Sequence, residues 1–366
     1  MTDAHANTHT PPTIYDVARA AGVSIASVSR VLNGHRNPRQ ETRERVLHAV
    51  AELGFVPDGA ARALSARLKE IVGVVFRRAW VETSEGTFAD EDESLQFTDV
   101  INRGIEVAAQ RRGYNLLIGS VDIHDHDARR RIMTLSRKSD GLILHDRVLE
   151  PSWLAQLSQH VPVVTLAGVA TQTTANVRSD NGAGMRELAS HLIRDHGYAA
   201  LAYLAGYADS PDNLARRDAL AAEAASAGAM FIEGPQWQGN YYASGGAQVI
   251  GTLLADGRPV PRAIVCANDQ TALGVMYALT QHGIDVPGEV AVTGFDDIPV
   301  ARHLRPQLTT IRQPIQDLGA TAFEVLRSMI GNHEPANRDV VLPTRLIRRE
   351  SCGCASETPP PSWRAA

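Results

Sequence analysis

The sequence has few cysteines and lacks any long apolar run. Its three cysteines in 366 residues, Cys266, Cys352 and Cys354, cannot form a disulfide framework, which favours a reducing compartment. No apolar run approaches the ~18 residues that a membrane span needs. The polar N-terminal residues also lack the basic and apolar regions of a signal peptide. We therefore expect a cytoplasmic protein that makes no contact with membranes.

The signatures of common enzyme sites are also missing. The sequence contains no Gly-x-Ser-x-Gly elbow, no P-loop and no Gly-x-Gly-x-x-Gly motif. A dispersed Ser/His/Asp site would leave no such signature. The stretch Asp122-Ile-His-Asp-His-Asp127 offers metal-ligating side chains, but no second cluster follows at zinc-like spacing. We therefore predict no catalytic residues, no cofactor and no metal.

Charge is distributed unevenly along the chain. The formal net charge is −5, but residues 13–69 hold nine basic and five acidic side chains, so that this segment carries +4 and the remainder −9. A small basic unit joined to a larger acidic body is typical of a polyanion-binding headpiece, although an excess of four charges also suits an ordinary solvated face. The length allows two or three domains.

Residues 13–53 show the periodicity of three short helices around a helix-turn-helix. The first begins after Thr13 as N-cap and stops at Gly22, the second is capped by Ser24, and the third runs from Gln40 to Leu53. The apolar residues expected on the buried faces are Ile14, Val17, Ala18, Ala21, Val28, Val31, Leu32, Val46, Val50 and Leu53.

The second helix of such a unit enters the major groove of DNA, with its first residues towards the base edges. Arg30 can donate two hydrogen bonds to guanine, whereas Ile25 and Ala26 can make apolar contacts to a thymine methyl. Hydroxyl and amide groups suit phosphates, which position the protein without reading sequence. The candidates for this role are Tyr15, Ser24, Ser29 and Asn33. Alternatively, all are surface residues of a small helical domain.

The segment from Thr13 to Asn33, TIYDVARAAGVSIASVSRVLN, closely resembles the headpiece of the lactose repressor (LacI/GalR) family of transcription regulators. The resemblance continues through residues 41–46, 53–57 and 61–64. It implies a hinge helix in which Leu64 wedges into a base step in the minor groove, with Ala61 packed beside it. Asp58 and Arg39 depart from the family pattern, and an acid near DNA should weaken binding.

Beyond residue 70, short apolar runs alternate with helical patterns, which predicts parallel sheets in a doubly wound α/β arrangement. The predicted strands span residues 71–76, 115–119, 141–144, 161–166, 201–204, 263–266 and 290–295. The predicted helices span residues 99–111, 127–137, 181–194, 216–227, 242–254, 269–282 and 315–330. Seven strands exceed what one small sheet needs, so we expect two lobes with a cleft between them.

The family resemblance extends through the body, to about residue 354, and implies an effector-binding cleft like that of periplasmic sugar-binding proteins. Arg216 resembles the ligand-gripping arginine of the family, and Asn268 and Asp296 match its polar residues at strand ends. Together they offer donors and acceptors to the hydroxyls of a polyol. Without the resemblance, Arg216 equally suits a surface salt bridge and Asp296 a capping carboxylate.

Two features depart from the family pattern in the body. The segment 77–98 is longer and more acidic than the short loop of most relatives, and it either selects an unusual effector or is a solvated insertion. Asn240 stands where many relatives have an aromatic residue, although Tyr241 and Tyr242 follow it.

The predicted fold is an all-α helix-turn-helix headpiece plus hinge helix, followed by a two-lobed α/β body like a periplasmic-binding protein, with two parallel doubly wound sheets. We assign a disordered tail to 1–12, the headpiece to 13–56, the hinge helix and linker to 57–70, the effector-binding and dimerisation body to 71–350, and a second disordered tail to 355–366. Lobe 1 takes about 71–178 and 314–340, and lobe 2 about 179–310 and 341–350.

The predicted function is transcriptional repression by a homodimer that binds a palindromic operator in double-stranded DNA. A sugar-like small-molecule effector controls it allosterically. Two alternatives are a cytosolic solute-binding protein and a cleft enzyme with a DNA-binding appendix. The helix-turn-helix argues against the first, and the missing catalytic motifs argue against the second.

Overall fold

The computed structural model describes residues 12–32, 38–55, 68–77, 87–88, 96–122, 127–145, 147–332 and 338–355. The chain divides into two compact units, residues 1–69 and 70–366. The described residues between 12 and 55 of the first unit are called the headpiece below, and the second unit is called the body. Several predictions lie outside the described residues: those for Asn33, Asp58, Ala61, Leu64, both tails and most of the 122–127 and 77–98 segments.

Three helices form the described part of the headpiece: α1 (Ile14–Ala21), α2 (Ile25–Leu32) and α3 (Gln40–Leu53). A capping box starts α1, because the backbone N–H of Thr13 donates to the Asp16 carboxylate at 2.9 Å. The Ser24 hydroxyl accepts from the backbone N–H of Ser27 at 3.2 Å at the start of α2. Both helix starts therefore lie where the sequence predicts them.

The headpiece core differs from the prediction on α3. Leu53 is 37% exposed, whereas Ala49 and Phe55 are buried with Val17, Val28 and others. The prediction of Leu53 as a core residue was wrong because α3 ends there, and the chain turns at Gly54 in the left-handed conformation. This turn brings the ring of Phe55 back onto the core.

The body contains twelve strands among its described residues. They are β1 (Ile71–Arg77), β2 (Asn115–Val121), β3 (Gly141–His145), β4 (Val163–Leu166), β5 (Ala175–Ser179), β6 (Ala200–Leu204), β7 (Met230–Ile232), β8 (Ala263–Cys266), β9 (Ala291–Asp296), β10 (Thr309–Arg312), β11 (Asp339–Leu342) and β12 (Arg345–Ile347). They form two six-stranded sheets, ordered β11-β5-β4-β3-β1-β2 and β12-β10-β9-β8-β6-β7.

Helices cover both faces of each sheet. They are α4 (Gln96–Gln110), α5 (Ala128–Lys138), α6 (Pro151–Leu157), α7 (Asn181–Ser190), α8 (Pro211–Ser226), α9 (Ala243–Ala255), α10 (Asp269–Gln281) and α11 (Ile315–Asn332). In the first lobe, α4 and α11 pack on one face of the first sheet and α5 and α6 on the other. In the second lobe, α9 and α10 pack on one face of the second sheet and α7 and α8 on the other. The doubly wound fold is confirmed.

All seven strands predicted from apolar runs are present, with ends shifted by a residue or two. Five strands were missed: β5, β7, β10, β11 and β12. Each is short or mixes polar with apolar residues, as in ANVRS for β5, so its run of apolar residues is too weak to recognise. One strand, β12, pairs antiparallel to β10, which corrects the expectation of wholly parallel sheets.

Two helix starts were also placed wrongly. Helix α4 begins at Gln96, three residues before the predicted start, so the acidic segment ends inside a helix. Helix α8 begins at Pro211 after the cap Ser210, five residues before the prediction, because proline fits the first turn of a helix and its missing N–H costs nothing there. No helix in the described part of the chain is both long enough and apolar enough to cross a membrane.

Helices α4 and α11 approach each other closely at two glycines. A Cβ atom added at Gly319 would lie 2.1 Å from the carbonyl oxygen of Ile101, and one at Gly104 would lie 2.0 Å from that of Gln316. Backbone atoms cannot rotate away as a side chain can, so only glycine fits at this crossing. The first lobe therefore depends on two residues that have no side chain.

We predict that Gly319→Ala lowers the free energy of unfolding by about 1–3 kcal/mol, because the added methyl forces two packed helices apart. Gly251→Ala is a matched control, since Gly251 lies within α9 with no atom within 4 Å of an added Cβ. That change should raise stability by about 0.5–1 kcal/mol through helix propensity. Urea unfolding followed by circular dichroism measures both. Equal effects of the two changes would contradict the close crossing.

Candidate functional site

A cavity of about 230 Å³ lies where the two sheets of the body face each other, and we call it the cleft. Its walls come from the carboxyl ends of strands in both sheets. The first sheet contributes Arg77, His145, Leu166 and Ser179, at the ends of β1, β3, β4 and β5. The second contributes residues that follow or end β6, β8, β9 and β10: Tyr207, Asn268, Asp296 and Gln313.

The strand orders explain this location. In the first sheet β1 lies between β2 and β3, and in the second β6 lies between β7 and β8, so successive connections leave to opposite faces. Loops diverge at such a point and leave a crevice outside the carboxyl ends of the strands. The two crevices open towards each other and form one cleft.

The guanidinium of Arg216 is 3% exposed and forms the floor of the cleft on the second lobe. It donates to the Asn181 side chain at 2.8 Å and to the Ala267 carbonyl at 2.7 Å, and it lies 3.4 Å from the Asp212 carboxylate. Its centre lies 3.8 Å from the middle of the Phe295 ring. Arg216 is therefore no surface residue, and contacts within the protein hold its side chain in place.

Two carboxyl groups share the cleft with this cation. Burial raises the pKa of Asp212, although the charge of Arg216 opposes the rise. Burial also raises the pKa of Asp296 to about 7, against the opposing effects of Arg216 and of a hydrogen bond from Gln313 at 2.6 Å. Asp296 has a φ of 124°, a strained conformation for a residue with a side chain. Strain and burial both favour a binding role for Asp296 over that of a capping carboxylate.

Asn268 lines the cleft, but its side chain already has two partners. Its oxygen accepts from the backbone N–H of Thr271 at 3.0 Å and caps α10, while its nitrogen donates to the Tyr241 carbonyl at 3.1 Å. The three residues predicted to bind effector thus lie on one cavity. Both Asn268 and Arg216 already use their polar groups within the fold.

Three polar atoms in the cleft have no hydrogen-bond partner among the described residues. They are Nε2 of His145, Oγ of Ser179 and Nε of Arg77. Burial lowers the pKa of His145 to about 4, so its ring is neutral at physiological pH. A buried polar atom without a partner costs free energy, which a ligand with hydroxyl or other polar groups would recover.

Aromatic rings form the remaining wall. The hydroxyl of Tyr207 donates to that of Tyr242 at 2.9 Å, and the guanidinium centres of Arg77 and Arg147 lie 4.7 and 4.2 Å from the middle of the Tyr207 ring. Asn240 lies on the cleft beside Tyr241 and Tyr242. An aromatic surface is therefore present although Asn240 replaces the expected ring.

In the headpiece, most residues predicted to contact DNA are on the surface. Tyr15 is 63% and Ile25 40% exposed, and Ser24, Ala26 and Arg30 are also exposed, whereas Ser29 is half-buried. Ser24, Ile25 and Ala26 lie at the start of α2 and Arg30 one to two turns later. Exposed apolar Ile25 on a helix of this size has no internal packing role, so it is available for contact with another molecule.

Sequence reasoning missed several residues of the cleft. From the sequence, no role was assigned to His145, Arg147, Ser179 or Tyr207. His145, Arg147 and Tyr207 share one signal, since each lies just after the carboxyl end of a predicted strand, in the sheets' binding crevice. Ser179 gave no such signal, because it ends β5, a strand that the sequence did not predict. None of these residues belongs to one of the catalytic or metal-binding motifs sought in the sequence.

Two family models match the chain. Residues 13–58 match bacterial regulatory proteins of the lacI family, and residues 189–352 match a periplasmic binding protein-like domain. Among curated proteins, the HTH-type transcriptional regulator GalR of Escherichia coli (strain K12) is 33% identical over 352 residues, covering 94% of this chain and 96% of its own length.

Two solved structures are similar over nearly the whole chain. The Lac repressor dimer bound to operator and the anti-inducer ONPF has a TM-score of 0.80 at 26% identity, covering 94% of this chain and 99% of the other. The complex of the transcriptional regulator CelR with cellobiose has a TM-score of 0.67 at 28% identity, with coverages of 93% and 99%.

We predict that Ser179→Ala leaves the stability of the ligand-free protein unchanged or slightly raised, because the buried hydroxyl has no partner among the described residues. Affinity for a ligand of the cleft should fall about fivefold, which corresponds to one hydrogen bond of about 1 kcal/mol. Isothermal titration calorimetry measures the affinity. Thr293→Val is the control, since it also removes a buried unpartnered hydroxyl but not from the cleft. Equal losses of affinity would refute a ligand-binding role for Ser179.

Asp296→Asn should change how stability depends on pH. Because the folded pKa of about 7 exceeds the ordinary 3.8, the stability that protonated Asp296 contributes is complete below pH ~4 and is lost as pH rises through 7. The neutral amide avoids this loss. Relative to the unmodified protein, the variant should therefore gain on the order of 2–3 kcal/mol between pH 5 and pH 8. Urea unfolding at both pH values tests this, and parallel pH profiles of the two proteins would contradict it.

Proposed function

Because the chain belongs to the lacI family of bacterial regulatory proteins, we propose that it represses transcription by binding an operator as a homodimer under the control of a small-molecule effector. Its relatives are transcriptional regulators, and the chain is a DNA-binding transcriptional regulator rather than an enzyme. Such a protein acts where the DNA is, in the cytoplasm.

The observation that carries this proposal is the joint presence of a matched headpiece and a polar cleft in one chain. The headpiece presents Arg30 and Ile25 on the surface of α2, where one offers paired donors to guanine and the other an apolar contact. The cleft presents buried polar atoms that lack partners among the described residues. A solute-binding protein would need only the second feature, and a regulator needs both.

We propose a homodimer because of the number of base pairs that a specific DNA site requires. One short helix contacts too few base pairs for a specific site, and two headpieces related by two-fold symmetry double the number of contacts. The operator should then be a near-palindrome. The similar Lac repressor was solved as a dimer bound to its operator, which supports this arrangement.

The proposed effector is a sugar or a related polar metabolite. The cleft offers a fixed guanidinium on Arg216, carboxyl groups on Asp212 and Asp296, and the aromatic surface around Tyr207. These groups bind adjacent hydroxyls and the apolar face of a ring. The similar regulator CelR was solved with cellobiose, which is in keeping with a sugar.

The control mechanism is a shift between two arrangements of the lobes. An effector that binds one arrangement better makes it more populated, and operator affinity changes only by as much as the effector distinguishes the two. The proposed hinge segment at 57–70 would transmit this change to the paired headpieces.

The test is to incubate the full chain with fragmented DNA of its source genome at a stated moderate salt concentration. The DNA fragments that the protein retains are then sequenced. We expect enrichment of a short near-palindrome. Salt must be controlled because non-specific phosphate binding otherwise obscures the result. Candidate effectors, both neutral sugars and sugar acids, are then added to the retained complex. Absence of any enriched site, with and without these compounds, would overturn the proposal.

Arg30→Ala should abolish recognition of the enriched operator while effector binding stays intact. Loss of a bidentate contact to guanine costs about 1–3 kcal/mol in each headpiece, which is a roughly 5- to 150-fold loss of affinity per half-site. Fluorescence anisotropy with operator and scrambled DNA measures the change. Arg19→Ala is the control, since Arg19 lies on α1, where any effect should be independent of sequence. Unchanged site preference in Arg30→Ala would show that α2 does not read the operator through this residue.

A further inference from the structure

Four metal-ligating side chains meet in the second lobe, in a group that the proposed regulator does not use. The group consists of His191, His196, Cys352 and Cys354, and we call it the His/Cys cluster. Each residue presents one ligand atom, and the four atoms all lie within 4.8 Å of one another. The two histidines follow α7, and the two cysteines belong to the segment after β12. Residues more than 150 positions apart thus come together at one point.

A local change of helix geometry aligns the two histidines. After α7 the chain continues as a π-helical turn over His191–Asp195. In an α-helix, side chains five residues apart point about 140° away from each other. A π turn bonds residue i to i+5 and brings such positions onto one side, and π turns are frequent at functional sites. The rings of His191 and His196 accordingly lie 4.7 Å apart, centre to centre.

Four of the six distances within the cluster are close to the edges of a tetrahedron around a zinc ion, and the other two are at most 4.8 Å. With bonds of about 2.0 Å to nitrogen and about 2.3 Å to sulfur, the ligand atoms are set about 3.3 Å apart for two nitrogens and about 3.5 Å for nitrogen and sulfur. The two Nε2 atoms lie 3.2 Å apart. Nε2 of His191 lies 3.5 Å from each sulfur, and Nε2 of His196 lies 3.4 Å from Sγ of Cys354.

Hydrogen bonds alone cannot account for this convergence. Nε2 of His191 has three neighbours at these distances, but an imidazole nitrogen either donates one proton or accepts through one lone pair. Sγ of Cys354 likewise faces both rings. At least some of the contacts therefore bring lone pairs together without a proton between them, which a cation at the centre would convert into bonds.

The surrounding groups hold the ligands in the required state. The Asp195 carboxylate lies 2.7 Å from Nδ1 of His191, so it accepts the ring proton there and leaves the lone pair of Nε2 directed at the cluster. This carboxylate–histidine pair is the arrangement that usually supports a metal-bound histidine. The Thr309 hydroxyl lies 3.1 Å from Sγ of Cys352 and 2.8 Å from the Arg349 carbonyl, so its one proton is directed at both acceptors, and the share that reaches the sulfur favours a thiolate.

We propose that the His/Cys cluster binds one Zn²⁺ ion as a structural site. Two thiolates and two neutral imidazoles are a donor set that zinc prefers, and four protein ligands leave no open position for a substrate. Our sequence prediction of no metal rested on residues 122–127 and did not consider these four side chains together. The spacing of these residues in sequence did not indicate a zinc site, because a single residue separates the two cysteines and the histidines lie in a distant segment.

The ion would attach the C-terminal part of the described chain to the second lobe. The cysteines lie in and after the short 3₁₀ turn at Glu350–Cys352, and Cys352 is fully buried against the core that α7 and α8 share with the sheet. A site formed only in the folded chain contributes its binding free energy to folding. Loss of the ion should therefore loosen residues 350–354 and lower the stability of this lobe.

The proposal is tested on the untagged full chain, purified under reducing conditions and dialysed against buffer treated to remove trace metals. We expect about one zinc per chain by inductively coupled plasma mass spectrometry. Replacement by Co²⁺ should give thiolate-to-cobalt charge-transfer absorption together with the intense visible bands of a tetrahedral ion. Removal of zinc with a strong chelator should lower the thermal midpoint, and Zn²⁺ should restore it.

Variants distinguish loss of the zinc site from general loss of folding. Cys354→Ser and His196→Asn, both on partly exposed ligands, should lose stoichiometric zinc and the cobalt bands while circular dichroism shows a folded chain. Asp195→Asn should weaken zinc binding about 10- to 100-fold by freeing the orientation of His191. Cys266→Ser and His160→Asn are matched controls outside the cluster and should keep one zinc.

Two results would overturn the proposal. One is a folded, reduced chain that holds neither zinc nor cobalt in stoichiometric amount after incubation with either ion. The other is full retention of zinc by Cys354→Ser and His196→Asn, which would place the ion elsewhere. Neither result bears on DNA binding, so the regulator proposal stands or falls separately.

Discussion

The buried positive charge of Arg216 constrains the construction of the second lobe. A guanidinium that is 3% exposed requires hydrogen-bond acceptors and negative charge in its immediate surroundings, since an unpaired buried charge is prohibitively costly. Asn181, at the start of α7, and the Ala267 carbonyl, after β8, meet this need together with Asp212. One side chain thereby ties together α7, α8 and the end of β8, and it holds them in the positions that form the floor of the cleft.

The acidic groups around the cleft follow from the same requirement. Asp212 compensates Arg216 from the same helix, one turn earlier, and Asp296 faces the cation from the end of β9. Burial raises the pKa of Asp296, so in the ligand-free state this group is easily protonated near neutral pH. A ligand that brings hydroxyl donors to Asp296 would favour its charged form. The site can therefore bind polar ligands without carrying a permanently unbalanced carboxylate.

Sequence patterns predicted those helices and strands whose own residues favour the same structure that packing in the whole fold requires. Buried parallel strands are continuous apolar runs, and the start of α1 carries its own cap, so both were found. Strands such as β5 and β12 were missed because their pairing partners, rather than their own residues, make them strands. For the same reason the His/Cys cluster gave no signal, and His145 gave none beyond its position after a predicted strand. Their chemistry arises only when segments far apart in sequence meet, and single residues there look unremarkable.

The two lobes contact each other through an ion pair, through the stacking of Arg77 and Arg147 on Tyr207, and through Phe88 against Tyr277. Arg147, beyond the end of β3, donates to Asp209, beyond β6, at 2.7 Å, but the Asp209 side chain is 71% exposed. An ion pair in such contact with water contributes little to stability. Three chain crossings, at residues 180, 313–314 and 343–344, connect the lobes beside the strands at one end of each sheet, β5 and β11 in the first and β10 and β12 in the second. Because the cores of the lobes are separate, a change in their arrangement need not disrupt either core. A ligand that binds one arrangement better has then to outweigh only the contacts between the lobes.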